Sequence, residues 1–520
     1  VSGSSKSAIL KFIIIQGILG YNPTDSSLKE RTMFNYQPVH NHEDLLNVVD
    51  GLLQEAGLVR ADLDGQLSFA GMDPIRPTRI KVGSVSATVI SANAIASALI
   101  WKERTGESQD VHVDLRKAYV TQSAWQDTLM ESTMLNGVSQ VFGGNVGQLG
   151  SYILPTRDGR FVVLTSLYSS NTKNIMTLLD SGVLPRQLER ATRQWDAATL
   201  EQAAQDAGVP LAICRTRAEY QATEQYRIHA GTPLIHIEKI GDSAPEPLPK
   251  DGDRPLSGVR ALGMTHVVAG PTVLRQLAAQ GAESLNLNLP NWIEEPTLYW
   301  QCQTGIRQAY LDSSNPANRK KVYELVKNAD IFVENLRPHM ADQQGYSAST
   351  LAEIRPGIIY VRVKLNTPVG PWADWMGYDF TAAGLSGMLC DLGAVDQPKF
   401  PNGVNVICDF LTGYLGAIGV QAALLRRAKE GGSYRVTVTL SQTIMFEQAL
   451  GLIDLNTLLK LDTMGPEHQP MSPNLQTGQT VFGEFTRLGS QVELSKTPEF
   501  WADPLIEPIG SSKPEWKLQP

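Results

Sequence analysis

A stretch of eighteen residues occurs twice in this chain: 98–115, ALIWKERTGESQDVHVDL, matches 423–440, ALLRRAKEGGSYRVTVTL, at one constant offset that pairs Gly106 with Gly431. Each copy reads as the end of a helix rich in small residues, a basic turn at glycine, and a strand in which Val alternates with polar residues. The same offset carries Asp409 onto Ser84. One copy heads its helix with a carboxylate and the other with a hydroxyl. That difference suggests an internal partial duplication, a fused pseudo-dimer in which one site survives. With 520 residues the chain has length for at least two domains with sizeable cores.

The pattern along the chain changes near its middle. Residues 1–65 read as a helical segment, in which EDLLNVVDGLLQEAGL has the apolar rhythm of a packed helix. Residues 66–250 hold the first copy and a small α+β unit. There SYILP and RFVVLTS are strands joined across Asp158-Gly159, and AATLEQAAQDAGVP is a helix closed by Gly and Pro. The Pro-rich, charged APEPLPKDGDRP at 244–255 marks the boundary. From 251 to 460 strands alternate with helices: GVRALGM, ESLNLNL, IFVEN and GIIYVRVK against TVLRQLAAQGA and ANRKKVYELVKNA. This alternation predicts an α/β fold, a parallel sheet with helices on both faces. Residues 461–520 are expected as a tail that wraps back.

Composition narrows the function. A net charge of −8 gives no basic footprint for nucleic acid. Cys214, Cys302, Cys390 and Cys408 lack C-x-x-C spacing, and the eight histidines show no metal pattern. Neither a disulfide framework nor a metal site is expected, and the setting is read as reducing and cytoplasmic, with an organelle left open. The run AILKFIIIQGILGY at 8–21 is interrupted by Lys11 and Gln16 and is too short to span a bilayer, so it is read as a buried helix with no membrane partner. The chain opens on Val, which leaves a removed leader open.

Ligands of open parallel sheets bind at the carboxyl ends of the strands. His266 to Pro271, Asn335 to Pro338, Lys364 to Gly370 and Asp409 all follow predicted strands, so they can converge on one crevice. Asp409 precedes LTGYLGAIG at a helix start, where N–H groups and the helix dipole hold a carboxylate ionised; the same place suits a plain N-cap. Gly413, Gly416 and Gly419 at spacing three permit close packing. Ser84 has no visible base beside it and reads as structural.

Five separated segments in order, PLSGVRALGMTHVVAGP, GAESLNLNLP, ADIFVENLRPHM, VGPWADWMGYD and VNVICDFLTGYLGAIGVQAALL, resemble family III CoA-transferases, the CaiB/BaiF group that includes formyl-CoA transferases and α-methylacyl-CoA racemases. DGRFVVLTS, AGVPLAICRTRAEY and HAGTPLIHIE in the first half resemble the later part of the same family. The resemblance implies a Rossmann-like CoA-binding domain beside a smaller α+β domain. No counterpart of the family's opening Rossmann half precedes residue 66. It further implies coenzyme A as the carried group, an acyl-CoA and a carboxylic acid as partners, and either a monomeric pseudo-dimer or a homodimer.

Carried over residue by residue, Asp409 matches the family nucleophile, and Tyr378 and Asp379 match the Tyr and acid of transferase-type members. Racemase-type members have a catalytic His where this chain has Tyr378. Arg307 matches a phosphate-binding arginine, and Asn335 and Arg337 match the turn that borders CoA. His266 lies in a family motif, with a backbone hydrogen bond as its expected role. Gly144, Gly147 and Gln148, in GGNVGQLG, resemble a glycine-rich loop that closes over the site, and are expected to face Asp409. Thr304 and Ile306 replace basic positions, Asn286 and Asn288 replace a Lys and a Glu, and Val268 replaces a Gln of formyl-CoA transferases, which argues against oxalate as acceptor. CoA transfer through an aspartyl intermediate is the reading. An isomerase, racemase or lyase using Asp409 as acid/base is one alternative; an inactive member acting as a binding or scaffold protein is another.

Overall fold

The computed structural model describes residues 35–122, 132–140, 150–290, 294–402, 404 and 406–517. The apolar run at 8–21 lies outside them. Helix α1 (His42–Ala56) begins at a reciprocal cap: Asn41 Oδ1 accepts the Asp44 N–H at 3.0 Å, and the Asp44 carboxylate accepts the Asn41 N–H at 3.2 Å. Two N–H groups that a helix start leaves unpaired are satisfied in this way.

Strand β1 (Leu67–Ala70), helix α2 (Val82–Thr105) and β2 (Val111–Asp114) form a crossover unit with parallel strands. α2 is long and apolar enough to cross a membrane, but its apolar stretch is buried within the protein. Two short strands, β3 (Met134–Leu135) and β4 (Val138–Ser139), follow. β5 (Ser151–Pro155) and β6 (Phe161–Thr165) then pair across the Asp158-Gly159 turn, where Gly159 has φ +75°. With β7 (Leu211–Ile213) they make an antiparallel sheet covered by α3 (Ser169–Leu179) and α4 (Ala197–Asp206), whose Ile175 and Leu200 are buried against Leu164 and Leu211. β8 (His236–Gly241) closes this half.

The second half runs β9 (Arg260–Met264), α5 (Ala269–Ala279), β10 (Glu283–Asn288), α6 (Pro296–Cys302), β11 (Ile306–Tyr310), α7 (Arg319–Lys327), β12 (Ile331–Glu334), α8 (Ala348–Ile354), β13 (Ile359–Lys364), α9 (Asp379–Leu385), α10 (Asp409–Glu430), β14 (Ser433–Thr439) and α11 (Leu440–Ala449). The sheet order is β11-β10-β9-β12-β13-β14-β8, parallel throughout except for β8. The expected boundary at 244–255 does not divide this sheet, because β8 precedes it and supplies the antiparallel edge. Pairing with β14 satisfies backbone groups that a bare edge would leave open.

Strand residues alternate between two cores. Ile331, Val333, Ile359 and Val361 join Val273 and Ile418 of α5 and α10, whereas Phe332 and Tyr360 join Leu325 and Leu351 of α7 and α8. Period-two side chains with both faces covered require helices on both sides, as the alternation predicted. Burying each of these side chains contributes roughly 1.5–3 kcal/mol.

Both repeated segments take the same local order. α2 and α10 end at Gly106 and Gly431, β2 and β14 follow, and the next helix begins at the paired leucines Leu115 and Leu440. The two long helices meet through a buried polar contact, with Gln421 joined to Ser97 Oγ at 2.5 Å and to Asn93 Oδ1 at 2.8 Å. The small residues of α10 let its neighbours close in: a Cβ at Gly413 would lie 2.4 Å from Thr272 Cβ, and one at Gly419 2.5 Å from Val436 Cγ1. At the C-terminus, β15 (Leu475–Thr480) and β16 (Gly483–Leu488) form a hairpin against β3, and β17 (Val492–Leu494) pairs antiparallel with β2.

Candidate active site at the carboxyl ends of the parallel strands

The order of the sheet creates one special place. From β9 the chain winds outward through β10 to β11, then returns to β12 on the other side and winds away through β13 to β14. Loops leaving β9 and β12 therefore part in opposite directions, which opens a crevice at their carboxyl ends. A cavity of about 900 Å³ lies there, lined by His266 to Ala269, Asn335 to Pro338, Lys364, Tyr378 and Asp409. The loops expected to converge do so. Leu167 to Ser170 and Lys173 from the first half supply the opposing wall.

Asp409 is the first residue of α10, and its side chain is buried at the cavity wall. The helix N-terminus does not serve it as expected. The N–H groups of Ile407, Cys408 and Asp409 all donate to the carboxylate of Asp379, at 3.0, 2.7 and 3.1 Å. Burial, together with the charge of Asp379, holds the Asp409 carboxyl well above the usual carboxylate range. Asp379, expected as catalytic, is not among the cavity-lining residues; it is a buried anchor for the turn that presents Asp409. Burial also raises Asp379, while its three N–H donors oppose the rise. Oxygens and thiol of Asp379, Cys408 and Asp409 lie within 4.8 Å of one another, a spacing a metal ion could bridge. The set suits one poorly, because the Asp379 oxygens already accept three N–H groups and burial pushes the Cys408 thiol far up. Glu447 of α11, also fully buried, is raised by burial and then by Asp379.

Tyr378 lines the cavity and its hydroxyl donates to Asn171 Oδ1 at 3.1 Å, a link from the second half to α3 of the first. Asn335 brackets the backbone of His266: its Oδ1 accepts the His266 N–H at 3.1 Å and its Nδ2 donates to the His266 carbonyl at 2.8 Å. Burial first, then Arg337 and Lys364, lower the His266 imidazole to about 4. Val267 sits at φ +67°, a strained conformation for a β-branched residue. Its N–H donates to Glu294 Oε2 at 3.3 Å, and the Tyr168 hydroxyl donates to the same oxygen at 3.2 Å. Burial pushes Glu294 up to about 7.

Arg337 is exposed at the cavity mouth with Lys173. Beneath that loop, fully buried Glu334 pairs with Lys364 at 2.7 Å and Arg362 at 3.2 Å, and Lys364 also donates to the Leu336 carbonyl. Arg307 is elsewhere. It is the second residue of β11 and so falls at the amino end of the sheet, bonded to Glu283 at 2.9 Å in a separate crevice of about 320 Å³. Gly144, Gly147 and Gln148 lie outside the described residues. Sequence reasoning missed Tyr168, Lys173, Glu294 and Trp375 as wall residues.

A doubly wound α/β sheet with a buried aspartate at its switch point defines a class of enzyme-like chains that present a carboxylate to a large, partly cationic crevice. The family model of CoA-transferase family III matches residues 52–233 and 256–480, and the chain belongs to that family. Among curated relatives, it is 28% identical to the acetyl-coenzyme A transferase of Hypoxylon pulicicidum, over 44% of this chain and 41% of that protein. It is likewise 28% identical to a formyl-CoA:oxalate CoA-transferase of Streptomyces avermitilis, over 36% of this chain and 49% of that one. The chain spans about half the length of the curated relatives it matches. A solved CAIB/BAIF family protein from Brucella suis is 25% identical, covers 45% of this chain and 65% of its own, and superposes with a TM-score of 0.34.

Proposed function

We propose that this chain moves coenzyme A between an acyl-CoA and a carboxylic acid, with Asp409 as the covalent carrier. The supporting observation is the buried Asp409 carboxylate at the switch-point cavity, on the residue that matches the family nucleophile. The Asp409 carboxylate attacks the thioester carbonyl, the C–S bond breaks, and an aspartyl–acyl anhydride and CoA thiolate result. The thiolate attacks the aspartyl carbonyl and expels the donor acid as its carboxylate, which leaves an aspartyl-CoA thioester. An incoming carboxylate displaces the thiolate to give a second anhydride. The thiolate then takes the new acyl group and frees Asp409. Each exchange is an acyl transfer between comparable leaving groups, the usual advantage of covalent catalysis.

The other residues have defined parts. Asp379 holds the turn ahead of α10, so Asp409 faces the cavity without a flexible lead-in. Arg337 and Lys173 at the mouth suit phosphate groups, with Arg offering a planar pair of donors. One chain supplies both walls, which fits a monomeric pseudo-dimer. Incubation with acetyl-CoA and mass spectrometry of the Asp409 peptide tests the reading: a CoA adduct, lost in Asp409→Ala, is expected, and wild-type turnover without Asp409 sinks it.

A second reading is favoured by Glu294. A second titratable carboxyl on the same cavity wall, raised to about 7, suits acid/base chemistry at the α-carbon of an acyl-CoA. Deuterium incorporation at that carbon without a second acid, and no adduct on Asp409, is its distinguishing result.

A further inference from the structure

Two arginines are buried together behind the catalytic helix. Arg275 of α5 is 5% exposed and Arg487 of β16 is 3% exposed. They share one residue: Arg275 Nη1 donates to the Gln301 carbonyl at 2.7 Å, and Arg487 Nη2 donates to Gln301 Oε1 at 3.2 Å. They also share Trp501, which lies under the Arg487 guanidinium at 4.1 Å and donates its indole N–H to the Arg275 carbonyl at 2.9 Å. Arg275 rests over Phe410, the residue after Asp409, at 5.2 Å.

Neither arginine forms an ion pair among the described residues, whereas Arg427, the third buried arginine among them, pairs with Asp330 at 2.9 Å. The carboxylate of Glu499, whose charge reaches Arg275, accepts instead from Gln280 Nε2 at 2.6 Å and Ser490 Oγ at 2.8 Å. Among the described residues, Arg275 Nε and Arg487 Nη1 are buried with no hydrogen-bond acceptor. A buried lysine relieves such a situation by losing its proton, but a guanidinium does not, because it stays charged at any working pH. Two uncompensated buried charges of one sign are costly, and a counter-ion removes both that cost and the orphaned donors. Burial and then the charge of Arg275 push Arg487 down, which shows the same imbalance.

We infer that Arg275 and Arg487 form a buried binding site for a small monovalent anion of the halide class, which pins the C-terminal hairpin to the helix that carries Asp409. The orphaned donors are two N–H groups, which suits a single small ion, and neither arginine lines the cavity at Asp409 or the crevice at Arg307. Arg275 lies within the residues that match the family model, and Arg487 lies beyond their end at 480.

The test is thermal unfolding of the full chain titrated with sodium bromide, ionic strength held with sodium gluconate. A saturable rise in Tm, on the order of 2 °C, is expected. It should vanish in Arg487→Met, read as loss of the bromide response whatever that variant's own Tm. Bromide anomalous scattering should place a peak beside Arg487 Nη1. Superimposable curves in bromide and gluconate would overturn the inference, as would an undiminished response in Arg487→Met.

Discussion

Asp409 and Asp379 are thirty residues apart in sequence and share one helix start, and their division of labour governs the site. Asp379 accepts three backbone N–H groups, whereas the Asp409 carboxyl faces the cavity. The proposed covalent role requires Asp409 to be ionised, and its carboxyl is raised. Turnover therefore rises with pH through an apparent pKa above the ordinary carboxylate range, seen in the acid limb of kcat/KM. In Asp379→Asn one acceptor oxygen becomes an amide and a neighbouring charge disappears. Stability should fall by about 1–3 kcal/mol in urea unfolding, and the acid limb should move to lower pH. Glu294 adds a stability effect. Its folded value of about 7 stands above the unfolded 4.5, so its contribution is fully present below pH 4.5 and is lost as pH rises through 7. Glu294→Gln should flatten the stability profile across that window, as measured by Tm against pH.

At the scale of elements, packing of α10 decides where Asp409 points. Gly413 faces Thr272 of α5 so closely that a methyl group there has no room. Gly413→Ala should cost about 1–3 kcal/mol by calorimetry, through overpacking and not through helix propensity, which favours Ala. The ends of β12 and β13 show a different dependence. Glu334 neutralises Lys364 and Arg362 in the interior, so Glu334→Gln leaves Lys364 unmatched and Arg362 with only Asp342 at 3.5 Å, and should cost about 3–5 kcal/mol. The exposed pair of Arg193 and Glu189 at 2.9 Å is the control, with a cost of about 0.5 kcal/mol or less.

At the scale of the whole molecule, the two halves and the C-terminal segment interlock. β8 of the first half edges the second-half sheet, β17 edges β2, and Tyr168 and Asn171 bond Glu294 and Tyr378 across the cavity. Truncation after Leu488 removes β17 and Trp501 together, and calorimetry of that variant should show an earlier, broader transition in place of one cooperative unit. Much of this architecture was legible. The parallel half could be read strand by strand, because alternating apolar residues and short amphipathic helices are local signals. The repeated segment announced two helices of one kind, Gly413 to Gly419 announced close packing, and the loops of the crevice followed from the ends of strands. What the sequence by itself determined is therefore the α/β class, the elements, and Asp409 at the head of a helix. Tertiary structure alone decided which end of the sheet each charge occupies, so Arg307 left the cavity and Glu294 entered it. It also decided that the N–H groups of Ile407, Cys408 and Asp409 go to Asp379 and that β8 crosses the expected boundary. The physical reason is that periodicity is written over a few neighbouring residues, whereas the field and solvation around a carboxyl are set by groups tens or hundreds of residues away.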